Sequence, residues 1–134
     1  MRGISFSALA VAVVLTGSAR LSAHHSFAAE YDASKTISLT GSVNKIEWTN
    51  PHARFHVDVK EADGTTASWE LELGSPNTLI RYGWARDTMK IGDMVSIEGY
   101  LARDGSKMAN AKTVKFADGR TFNAGSSVNL ATTK

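Results

Sequence analysis

The chain contains no cysteine among its 134 residues. That excludes disulfides, thiolate metal ligands, a cysteine nucleophile and the acylated cysteine of a lipoprotein anchor. It has no long apolar run either. The stretch "ALAVAVVL", Ala8 to Leu15, is far too short to span a bilayer as a helix of the mature protein. G-x-S-x-G, a phosphate loop and H-E-x-x-H are all missing, so hydrolase and nucleotide chemistry have no foothold and the reading leans away from an enzyme. Histidine is scarce, with four residues in two pairs, His24 with His25 and His52 with His56.

What is present at the amino end is an export pattern. Arg2 precedes the apolar run and the small residues of "TGSA" follow it, the order of a secretory signal peptide. Residues 1–23 are read as that signal, with cleavage after Ala19, Ser22 or Ala23. Its removal takes Arg2 and Arg20 from the fifteen basic residues, leaving thirteen against thirteen acidic ones. The mature chain then carries no formal charge, which argues against a protein that lives on phosphate backbones. A soluble periplasmic or secreted protein is expected, with no stable membrane anchor and no nucleic acid as partner.

The remaining 111 residues suit one domain with a modest core, placed at 24–123. Residues 124–134, "AGSSVNLATTK", have little to bury and are expected to form a flexible tail. Short alternating runs fill the domain. "ARFHVDVK" turns Ala53, Phe55, Val57 and Val59 to one face and Arg54, His56, Asp58 and Lys60 to the other. "ASWELEL" does the same with Trp69, Leu71 and Leu73 inward. In "KTISLTGSVNKIEW" the inward phase passes from Ile37, Leu39 and Val43 to Ile46 and Trp48, as a bulge near Asn44 would require. Three Asp-Gly pairs, at 63–64, 104–105 and 118–119, mark hairpin turns. "GSPNTLIRYGW" reads as one short helix, capped by Ser75, begun at Pro76, stopped by Gly83, and burying Leu79 with Ile80. The order predicts an all-β fold, a small OB-like β-barrel of five to six strands with a helix between the third and fourth. An open β-sandwich is the alternative.

The stretches "HHSFAAEYD", "LTGSVNKIEWTNPHARFHVDV", "WELELGSPNTLIRYGW", "GDMVSIEGYLARDGS" and "DGRTF" resemble a family of small exported bacterial proteins classed as a domain of unknown function. The resemblance covers nearly the whole mature chain and implies export and one compact β domain. It brings no assigned activity or site residues.

Without thiolates, metal chemistry falls to imidazole, carboxylate and the terminal amine. If cleavage exposes His24, its amine and ring chelate one copper ion as in the histidine-brace proteins, with a further histidine completing the nitrogen set. If Ala23 leads, His25 stands third, and amine, two backbone nitrogens and imidazole wrap Cu(II) or Ni(II) in a square plane. Extended chain would hold His52 and His56 roughly 13 Å apart at ~3.3 Å per residue, too far to share an ion, so one of the two is the expected helper. The metal candidates are therefore His24, His25, His52 and His56, with copper as the ion. The competing expectation is metal-free binding of a glycan, peptide or protein partner through Trp48, Asn50 and His52 at the barrel mouth. On this reading Glu47 is solvated, Glu70 and Glu72 belong to a charged outer face, and Met89, Met94 and Met108 fill the core.

Overall fold

The structure is a computed structural model that describes residues 27–130. Among these residues the strands are β1 (Tyr31–Glu47), β2 (Arg54–Lys60), β3 (Thr66–Glu72), β4 (Met94–Ala102), β5 (Met108–Phe116) and β6 (Thr121–Asn123). Helix α1 (Pro76–Arg81) lies between β3 and β4, and the short α2 (Ser127–Leu130) follows β6. The strands form one sheet in the order β3-β2-β1-β4-β5-β6, antiparallel between neighbours. A short parallel pairing of Glu70–Glu72 with Met108–Asn110 joins β3 to β5 and closes five of the strands into a ring. One sheet folded back on itself is the OB-like arrangement. The open sandwich, which needs two separate stacked sheets, is set aside.

The long first strand makes this closure possible because it serves two neighbours. Residues 36–42 pair with β4 and residues 41–47 with β2. Gly41 faces Val59 on one side and Val95 on the other. A Cβ there would run into the carbonyl of Asp58, so the close crossing needs glycine. The register slips between Val43 and Lys45, placing the bulge at Asn44. A second slip, between Tyr31 and Thr36, curls the start of β1 across β4.

Alternation builds the core as the sequence indicates. Phe55, Val57, Leu71, Val95, Ile97 and Val114 are fully enclosed, each worth roughly 1.5–3 kcal/mol of burial. Ser75 caps α1 by accepting from the Thr78 amide, and Pro76 occupies its first turn. Leu79 plugs the ring, whereas Ile80 is 57% exposed, because a six-residue helix lying on the ring end turns only one stripe inward. Trp84 packs against Phe116 and Phe122 and donates its indole N–H to Asn123 O at 2.8 Å. Met89 joins the core, but Met94 is exposed at the head of β4, so core filling explains only the first. The tail begins with buried residues. Ala124, Gly125 and Ser126 are enclosed, with the Gly74 N–H donating to Ala124 O. Composition hid this, because small residues dock by close backbone approach rather than by side-chain burial.

Candidate metal and ligand face

The outer face of β1, β2 and β3 carries a contiguous set of charges. Lys45 pairs with His56 and His56 with Glu70, while Glu47 pairs with Arg54 and Arg54 with Glu72. Two rows therefore cross three strands, and their strongest contacts include diagonals, as long side chains on a twisted sheet allow. His56 Nε2 lies 3.1 Å from Glu47 Oε2. Arg54 Nε lies 3.4 Å from Glu70 Oε1 without a hydrogen bond, and its Nη2 lies 3.6 Å from Glu72 Oε2. The ligand atoms of Glu47, His56 and Glu70 all fall within 4.8 Å of one another. Hydrogen bonds from His56 and Lys45 hold the Glu47 carboxyl below the usual range for glutamate.

Glu72 is the anchor of the second row. Although it points outward from the ring, it is only 7% exposed. The Tyr31 hydroxyl donates to Oε2 at 3.3 Å and Asn110 Nδ2 to Oε1 at 3.3 Å. Arg54 and the His52 ring, 3.9 Å away, complete its surroundings. A buried carboxylate of this kind is tolerable only with such partners. Burial, and then the charge of Glu72, push the Tyr31 hydroxyl well above the ordinary tyrosine value. The curl at the start of β1 delivers Tyr31 to this point. Phe27 packs on Tyr31 and edge-on against Tyr100, and Arg103 Nε ties down the preceding turn through Ala28 O.

His52 and His56, on the same face, serve different partners. His52 Nδ1 lies 3.2 Å from Leu73 O. A carbonyl only accepts, so Nδ1 carries the proton, and in the neutral ring Nε2 is the lone-pair nitrogen. Trp48 is half-buried and lines a cleft with Ile46, Ala53, Trp84, Arg86 and Met89. Asn50 is exposed in the turn between β1 and β2. His24 and His25 lie outside the described residues.

Sequence reasoning missed four members of this face. Glu47 was expected to be solvated and instead meets His56. Glu70 and Glu72 were expected to belong to a bland charged face, yet one joins the cluster around His56 and the other is buried. Tyr31 was not singled out. The signal for Glu47 lay in the phase change at Asn44, which turns it to the side of His56. Nothing in the sequence pattern marks the β3–β5 seam that encloses Glu72.

No helix among the described residues is long and apolar enough to cross a membrane. No curated protein matches the sequence. Among solved structures, the chain is similar to the mitochondrial single-stranded DNA binding protein Rim1 from S. cerevisiae, with 12% identity and a TM-score of 0.49 over 62% of this chain and 93% of that one. The family described as a family of unknown function, DUF6152, matches residues 11–111, and the chain belongs to it.

Proposed function

We propose that this member of DUF6152 works outside the cytoplasm as a binding module for copper, with His24 and His25 as the chelating pair and His52 as the ligand supplied by the ring. The observation that carries the reading is the setting of His52. Its Nδ1–H is committed to Leu73 O, with the Glu72 carboxylate behind it, which is how metal-ligating imidazoles are commonly held so that the other nitrogen faces the ion. The start of β1 and His52 meet on one carboxylate. Phe27 rests on Tyr31, and the Tyr31 hydroxyl reaches the carboxylate behind His52. The pair at 24 and 25 is tethered two or three residues before Phe27. Cu(II) favours amine and imidazole nitrogens in a tetragonal plane, which suits these donors, and the signal-like residues 1–23 account for a free amine near His24.

Calorimetric titration of correctly processed protein with Cu(II) tests the reading. One ion should bind per chain, and His52→Ala should weaken binding at least tenfold, on the order of a ligand or its support being lost. Loss on His24→Ala identifies the brace, and loss on His25→Ala the three-residue chelate. Absence of stoichiometric binding contradicts the proposal.

One observation favours a second reading, a metal-free module for a glycan, peptide or protein. Trp48 stays partly exposed beside Arg86 at the end of β1, a surface aromatic with a neighbouring charge that suits shallow contact with a sugar ring or an amphipathic side chain. In that case ligand binding quenches Trp48 fluorescence in chelator-treated protein, and Trp48→Phe abolishes the signal.

A further inference from the structure

We infer that Glu47, His56 and Glu70 form a second metal site, independent of the amino terminus, for a first-row divalent ion such as Zn2+. The proposal goes beyond the copper reading, because all three donors lie on strands and none belongs to residues 24 or 25.

The spacing that holds the salt bridge also suits an ion. With metal–ligand bonds of about 2.1 Å, two ligands of a tetrahedral ion stand about 3.4 Å apart. His56 Nε2 and Glu47 Oε2 are 3.1 Å apart, close to that edge. An ion replaces the proton shared by this pair, and the neutral ring keeps its other proton on Nδ1. Glu70 is the third donor. It faces His56 directly across the β2–β3 pairing and lies within 4.8 Å of the other two ligand atoms. To reach bonding distance its carboxylate must turn inward from its present position.

The Glu70 carboxylate is available to turn toward the ion. It is partly exposed and accepts no side-chain hydrogen bond among the described residues, and Arg54 Nε, 3.4 Å from its Oε1, is not aligned to donate to it. The guanidinium charge beside the site works against a cation and lowers the affinity expected. Three adjacent strands hold the donors, so little ordering is needed on binding. One imidazole and two carboxylates suit Zn2+ and its neighbours in the first row, and three protein donors leave at least one position for water or a further ligand. Lys45 Nζ, 3.2 Å from Glu47 Oε1, is the competing cation that the metal must displace.

The test uses metal-stripped mature protein in which His24 and His25 are both replaced by alanine, which removes the amino-terminal imidazoles. Zn2+ is titrated by calorimetry, and Co2+ serves as an optical probe. One ion should bind per chain. His56→Gln and Glu70→Gln should each weaken binding about tenfold or more, while His52→Gln leaves it unchanged. Lys45→Gln should tighten binding by about threefold or more by removing the competing charge, an effect that loss of structure would not produce. The Co2+ complex should show the intense visible bands of a four-coordinate ion. The inference is overturned if the His24→Ala, His25→Ala protein binds no Zn2+, if His56→Gln and Glu70→Gln in that background bind as it does, or if His52→Gln removes the ion. Failure of copper at the native terminus leaves every one of these results untouched, so the two proposals fail separately.

Discussion

The hydroxyl of Tyr31 donates to Glu72 Oε2 at 3.3 Å, joining the first residue of β1 to the last residue of β3. The two are 41 residues apart in the chain, and their contact lies beside the seam where β3 meets β5. Glu72 is thus held from three strands, by Tyr31 on β1, Arg54 on β2 and Asn110 on β5. Tyr31→Phe keeps the ring packing against Phe27 and removes only the donor. It should destabilise the protein by about 1–3 kcal/mol, the cost of leaving a buried acceptor short of a partner, measured by urea unfolding at neutral pH. A cost below ~0.3 kcal/mol would mean that Glu72 is satisfied without Tyr31.

The same contact predicts an alkaline limb. Tyr31 is raised above its ordinary value of 10.0 by burial and by Glu72, so the folded chain keeps its proton where the unfolded chain loses it. The stabilisation is complete below pH 10 and falls as pH rises beyond it. Unfolding midpoints measured between pH 8 and pH 11 should drop above pH 10, and Tyr31→Phe should flatten that drop.

Hairpin chemistry sets the acid limb. Asp32, Asp63 and Asp104 accept from the hydroxyl and the amide of the residue two positions on, and Asp118 from the amide and the guanidinium of Arg120. These bonds lower all four carboxyls below the usual aspartate value of 3.8. Their contribution is present above that value and lost as pH falls through the lowered range. A triple variant with Asp63→Ser, Asp104→Ser and Asp118→Ser should lose less stability between pH 5 and pH 2.5 than the parent. An unchanged acid profile would show that other carboxylates control acid unfolding.

Leu71 is wholly enclosed and faces Phe55 across the β2–β3 pairing. Leu71→Ala should cost about 2–5 kcal/mol in chemical unfolding. A near-zero change would contradict the inward face of β3.

How much of this was legible beforehand differs from element to element. The inward rows of β2 and β3 are local alternation, so Phe55, Val57, Trp69 and Leu71 could be placed from spacing alone. The bulge at Asn44 showed itself as a change of apolar phase. The Asp-Gly turns were equally local, with Gly64, Gly105 and Gly119 all at positive φ. The polar face was not local. Whether Glu47 meets His56 depends on the register of β1 against β2, and whether Glu72 is buried depends on β5 arriving 38 residues later with Asn110. Two glutamates on an outer strand face look alike in sequence; only the ring closure separates the one that becomes enclosed from the one beside His56. His52 was singled out as a candidate, but the carbonyl that fixes its ring belongs to Leu73, across the β2–β3 hairpin.

The most direct test of the copper reading is electron spin resonance of correctly processed protein loaded with one equivalent of Cu(II) at neutral pH. Binding through the terminal amine, a neighbouring imidazole and His52 predicts an axial spectrum with splitting from several nitrogens, and a loss of nitrogen coupling in His52→Ala. A spectrum of solvated copper, or one unchanged by His52→Ala and by acetylation of the terminal amine, would contradict it.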